Sequence, residues 1–188
     1  MSTEAVLAII VVVILIPSFW LIAVYNRLMK LKQYVKDSWA GIDVELKRRY
    51  DLIPNLVEVV KSYASHEKEV LTRVVELRTA AVASTGTAAS QANDEQKLQM
   101  GMKRLFAVAE GYPQLKADAN FRELQSQLAV TEDRIAAARR FFNGNVRDMN
   151  QLTKSFPTNL VAEAFAIRTE TYFEITDEAE RVVPRVAL

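Results

Sequence analysis

A chain of 188 residues is long enough to bury one core, and with half its residues apolar but only five glycines and five prolines it favours helices over a strand-rich sandwich or barrel. Its 24 basic and 23 acidic side chains nearly cancel, which leaves no global basic field to hold a nucleic acid backbone, so nucleic acid is not expected as a primary partner. The absence of cysteine excludes disulfides, thiolate nucleophiles, iron–sulfur ligation and cysteine-based zinc sites, whatever the compartment.

The first element is "AVLAIIVVVILIPSFWLIAVY", Ala5 to Tyr25, which carries no charge. As a helix its roughly 21 residues cover the ~30 Å hydrocarbon core of a bilayer. About 14 of them are Leu, Ile, Val or Phe, an insertion term of roughly −4 to −8 kcal/mol that exceeds the cost of Pro17. A cleaved signal peptide would place a basic segment first and a small-x-small site after; here Glu4 precedes the run and no such site follows, so residues 1–26 are expected to be a retained anchor. Arg27, Lys30, Lys32 and Lys36 come directly afterwards. By the positive-inside rule they place the bulk of the protein, residues 27–176 and the tail 177–188, in the cytoplasm, with the N-terminus outside and these four cations at the lipid headgroups.

Beyond the anchor, Leu28, Leu31, Val35, Trp39, Ile42, Leu46, Arg49 and Ile53 recur at spacings of three and four, and only Arg49 breaks the apolar stripe. The heptad phase continues past Pro54 through Leu56, Val60, Tyr63, Glu67, Val70, Val74 and Leu77, which predicts one long, proline-kinked helix from about residue 26 to 83, roughly 87 Å in length. Arg48, Arg49, Asp51 and Asn55 flank the bend, placed to satisfy the freed carbonyl of Tyr50 or to offer a docking surface. "STGTAASQAN", 84–93, reads as a loop, and Asn93 with Gln96 as a capping box that opens the next helix. Gly111 and Pro113 interrupt that helix, and a second box, Asn120 with Glu123, begins a strict seam of Phe121, Leu124, Leu128, Thr131, Ile135, Ala138, Phe142, Asn145, Met149, Leu152 and Phe156. Pro157 ends it, "TNLVAEAFAIR" supplies a short last helix, and an acidic tail follows whose end is expected to be extended.

Chemistry finds little to stand on. His66, the one histidine, begins "HEKEV", and a zinc-protease motif would need a second histidine where Val70 stands. A di-iron bundle would need glutamate where Tyr63 stands. No glycine-rich phosphate loop or nucleophile triad is present, so no catalytic, cofactor-binding or metal-binding residue is assigned. Two polar residues occupy core positions of the seams. Glu67 is either solvated at a helix edge or paired with Arg134 or Arg139 to fix helix register, and Asn145 either specifies register or marks loose packing near a helix end. The basic run "ELKRRY" lies too far along the helix from the span to meet anionic lipid.

The stretches "DVELKRRYDLIPNLVEVVKSYASHE", "EGYPQLKADANFRELQSQLAVTEDRIAAARRFFN" and "FPTNLVA" closely resemble the LemA family of bacterial membrane proteins, over most of residues 25–187. Phe142 stands where the family more often has tyrosine, and the chain ends in leucine rather than phenylalanine. The resemblance implies a single-span anchor, an outward N-terminus and an antiparallel four-helix bundle, with no established enzymatic activity. A magnetosome membrane protein belongs to the same family, and some members are encoded beside a membrane zinc protease, which together imply a role in membrane or envelope organisation. The expected fold is therefore all-α: one transmembrane helix, then an elongated antiparallel four-helix bundle with a long kinked first helix; a long two-arm hairpin is the alternative. The expected function is a non-enzymatic scaffold, bound to the lipid bilayer and forming a homo-oligomer. An adaptor of a membrane protease is the second reading, and a cryptic hydrolase using surface carboxylates the third.

Overall fold

The structure, a computed structural model, describes residues 3–175. The expected tail, 177–188, lies outside the described residues. Among the described residues the protein is all helical: α1 is Thr3–Tyr63, α2 Lys68–Val82, α3 Ala88–Glu110, α4 Pro113–Ala117, α5 Ala119–Lys154 and α6 Thr158–Ala164. The chain divides into two compact units, Met1–Trp39 with Phe141–Glu170, and Ala40–Arg140 with Thr171–Leu188.

In the first unit, α1 begins as a bare apolar helix. Its large side chains from Ile9 to Ile16 are all at least half exposed or close to it, as expected for a segment with no protein neighbour. Among the described residues Val24 is the first of the helix to be buried, because α6 covers it: Val24 and Leu28 form a small core with Val161 and Ala162, flanked by Tyr25, Leu152 and Ile167. The Tyr25 and Phe165 rings lie 4.6 Å apart and those of Trp39 and Phe142 5.2 Å apart, distances at which tilted aromatic pairs attract. Asn145 Nδ2 donates to the Tyr34 carbonyl at 3.4 Å. Partners therefore descend along α5 as they ascend along α1, and the two helices run antiparallel here.

After α6 the chain turns through Ala166, which adopts φ 51°. The Ile167 amide bonds back to the Ala162 carbonyl at 2.8 Å and the Ala166 amide to that of Glu163 at 3.1 Å, the paired bonds of a Schellman cap. The side chain of Asn150 then holds the amide and the carbonyl of Glu170, each at 2.8 Å.

In the second unit, the expected single helix from 26 to 83 does not form. It breaks at Ala64–Glu67, ten residues beyond Pro54, where the Glu67 amide turns back to the Ala64 carbonyl at 3.1 Å. Arg78 of α2 bonds to Tyr50 of α1, 28 residues away; in one straight helix those residues would stand about 42 Å apart. The chain therefore reverses at "ASHE" and α2 folds back along α1. Heptad phase could not report this, because Leu56 and Val60 before the turn and Val74 and Leu77 after it are all buried, and reversal conserves the apolar spacing.

The helix α3 also starts earlier than the Asn93–Gln96 box suggests. Thr87 caps it by accepting from the Ser90 amide at 3.3 Å, and Asn93 lies exposed inside the helix. At the start of α5 the cap is Asp118 rather than Asn120, with Oδ1 accepting from the Phe121 amide at 2.9 Å. Pro113 takes the first helical position of α4, where its missing N–H costs nothing. Gly101 lets α2 approach α3 closely, since a Cβ there would stand 2.7 Å from Leu77 Cδ1. The α5 seam is buried or half-buried from Phe121 to Leu152, whereas Phe156, its last expected member, is 81% exposed.

Candidate functional site

Arg49, the one charge in the apolar stripe of α1, is fully buried. Transfer of a lone guanidinium out of water is prohibitive, so its surroundings must supply opposite charge. They do. Its Nη2 meets Glu95 Oε2 of α3, also fully buried, and its Nη1 donates to Glu132 Oε1 of α5 at 2.6 Å. The Tyr50 hydroxyl donates to the other oxygen of Glu95. Burial pushes the pKa of that hydroxyl above its ordinary value, outweighing the opposing pull of Arg49 and of a hydrogen bond with Gln91. Arg49 Nε is buried without a hydrogen-bond partner, as is Glu45 Oε2, whose fellow oxygen lies 3.8 Å from Arg134 Nη1.

Glu95 left a signal that sequence reasoning missed. It falls on the buried stripe Ala92, Glu95, Leu98, Met102, Leu105 and Ala109 of α3, so an acidic residue interrupts one apolar face and a basic residue interrupts another. That opposition of sign was legible; the choice of partner was not.

Beside this cluster lies the consequence of Pro54. A proline inside a helix has no amide to give to the carbonyl four residues earlier, here that of Tyr50. Arg78 replaces the missing donor, with its Nε bonded to the Tyr50 oxygen at 2.7 Å. Of the residues expected either to take that role or to offer a docking surface, Arg49 bonds to Glu95 and Glu132 instead, and Arg48, Asp51 and Asn55 are exposed, as is Pro54 itself. Asn55 instead lines an open groove of α1 and α5 with Glu58, Val59, Ser62, Asn120, Glu123 and Leu124.

The remaining sequence-selected residues are dispersed. Glu67, half-buried at the reversal, accepts from the Tyr112 hydroxyl at 3.3 Å, so its partner is a tyrosine of the α3–α4 corner rather than Arg134 or Arg139. Close by, Tyr63 donates to Asp118 Oδ2 at 2.9 Å; the backbone amide of Phe121, and then this hydroxyl, hold the Asp118 carboxyl below its ordinary range. Arg139 is half-buried, and Pro113 and His66 are exposed. Arg27, Lys30, Lys32 and Lys36 are all exposed, and Lys30 lies 5.6 Å over the ring of Tyr34.

Chemically the arginine cluster is closed. Arg49 and Glu95 have no exposed side-chain surface and spend their charges on each other, so neither can meet a substrate unless helices part. Pairs of this kind add little net stability, because desolvation offsets attraction, but they penalise every packing in which a partner is missing. The cluster joins α1, α3 and α5. Among the described residues no group of three or more histidine, aspartate and glutamate side chains is arranged to hold a metal ion.

Fold and site define a class: an all-helical protein whose first helix is long and apolar enough at its N-terminal end to cross a membrane, and whose core is keyed by a buried ionic cluster. The family model described as LemA family matches residues 38–188, and the chain belongs to that family. It is similar to Protein LemA of Metamycoplasma hominis, 24% identical over 157 residues that cover 84% of this chain and 71% of the relative. It is also similar to Magnetosome protein MamQ 2 of Paramagnetospirillum magneticum, 23% identical over 175 residues and 80% of this chain. The chain spans 64% of the length of that relative.

Proposed function

We propose that this protein is a non-enzymatic, membrane-anchored helical scaffold that self-associates and organises a bacterial membrane or envelope. One observation carries the reading: the apolar segment and the packed core share a single helix, α1, bare at its start and locked at Arg49 to α3 and α5. The contacts of α1 with α2 and α5, and of α2 with α3, support the four-helix bundle that the family resemblance implies. The basic residues after the span support a cytoplasmic bulk at the inner membrane with the N-terminus outside.

Exposed Val44, Val75, Met100, Val130 and Phe141 supply apolar surface for self-association. The relatives named as magnetosome proteins support a membrane-associated role. Co-expression of two differently tagged copies, followed by mild solubilisation and capture on one tag, tests the proposal. Recovery of the other tag is expected; its absence discards self-association. An activity lost on His66→Ala would discard the non-enzymatic reading.

The second reading, which rests on the family resemblance, is an adaptor that presents a membrane protease, with the open groove of Asn55, Glu58 and Glu123 as a place for it to dock. Stoichiometric recovery of a protease in the same capture would support it.

A further inference from the structure

The corner between α5 and α6 lies beside the end of the span, and it is apolar on the outside. Phe156 is 81%, Leu160 55% and Phe165 48% exposed. These residues follow the strictest apolar seam in the chain, yet they do not join it. Soluble surfaces rarely display such a group of large apolar side chains without something to cover it.

We infer that this corner is a second membrane contact, a monotopic wedge in which Phe156, Leu160 and Phe165 enter the interfacial layer of the same bilayer that the N-terminal helix crosses. The inference rests on the anchored reading given above, and the geometry within the first unit carries it. Residues 5–25 of α1 cover about 30 Å as a helix, so Val24 and Tyr25 lie at the boundary of the hydrocarbon when the segment spans. Val161 and Ala162 of α6 pack on Val24 and Leu28, and Phe165 stacks on Tyr25 at 4.6 Å. The short helix is thereby fixed at the depth where the lipid begins. On α1, Trp20, one turn before Val24, is also exposed.

The charges agree with this placement. Exposed Arg27, Lys30 and Lys32 on α1 and Lys154 at the end of α5 outnumber Glu163, the acidic side chain of α6, and would rest among anionic headgroups. An amphipathic element of this kind buries its apolar face about 5–10 Å into the boundary. One helix alone leaves the protein free to rotate and tilt about its span, whereas a second contact beside it restrains both.

The absence of cysteine makes the test direct, because a single introduced cysteine carries a nitroxide without background. Full-length protein bearing Phe156→Cys, Leu160→Cys, Ile14→Cys or Asp37→Cys is reconstituted into phosphatidylcholine–phosphatidylglycerol vesicles. Collisions with oxygen, which concentrates in lipid, are compared with collisions with a water-soluble nickel chelate. Position 14 reports the span, and position 37, about 18 Å past Tyr25 along α1, reports water. Positions 156 and 160 are expected to fall between them, enriched in oxygen over nickel relative to position 37. If both match position 37 while position 14 remains deep, the wedge is overturned and the anchor stands. Shielding of both positions from both reagents also overturns it, in favour of a second copy or a protein partner. Nickel access at position 14 would overturn the anchor and the wedge together.

Discussion

Arg78 Nε donates to the Tyr50 carbonyl at 2.7 Å, and so replaces, from another helix, the amide that Pro54 cannot provide. The carbonyl that Pro54 frees is thus held by a side chain of α2 rather than left to solvent. Arg78→Ala strands a carbonyl inside the packing, and about 1–3 kcal/mol of destabilisation is expected. In a Pro54→Ala background, residue 54 regains its amide, and the same Arg78→Ala change is expected to cost less. Denaturant midpoints of the single and double variants check this; equal costs in the two backgrounds would break the link.

The arginine cluster predicts an asymmetry between breaking and replacing. Arg49→Ala leaves Glu95 buried without its cation and is expected to cost about 3–5 kcal/mol, with Glu95→Ala similar. Replacing both by apolar residues of like volume, Arg49→Met with Glu95→Leu, is expected to recover most of that loss. Thermal unfolding of the variants in detergent reads the difference directly.

Tyr50 makes the same cluster sensitive to alkali. Burial raises its hydroxyl above the usual value near 10, so the folded state holds the proton more tightly than the unfolded chain. The resulting stability is complete below about pH 10 and is lost as pH rises through the higher folded value. Tyr50→Phe is expected to flatten that alkaline loss, measured as unfolding midpoint against pH.

Ala166 occupies the left-handed region at φ 51° as the closing residue of the α6 cap. Ala166→Gly is expected to stabilise by about 0.5–1 kcal/mol, the left-handed penalty removed exceeding the entropy that glycine adds to the unfolded chain. A rise in melting temperature checks it.

Periodicity made the helical class, the apolar anchor segment, the buried stripe of α1 and the seam of α5 readable without coordinates. It failed where distinct structures share one period. The turn at Ala64–Glu67 preserves the spacing of buried residues on either side, so reversal and continuation look alike in sequence. Caps were misplaced for a related reason: Asn93 and Asn120 have the right chemistry, but Thr87 and Asp118 reach the free amides first. Arg49 was marked as an anomaly of its stripe, yet its partners lie 46 and 83 residues away, and only the fold brings them together. Arg78 bore no mark at all, because its role follows from Pro54 across a turn that was not visible.

The central claim is that a membrane-anchored helical chain works by assembling with itself. The mass of the full-length protein purified in mild detergent, measured by light scattering with the detergent contribution subtracted, tests it most directly. A discrete multiple of the chain mass at micromolar protein is the expected result. A single chain mass across that concentration range, with the protein folded by circular dichroism, would contradict it.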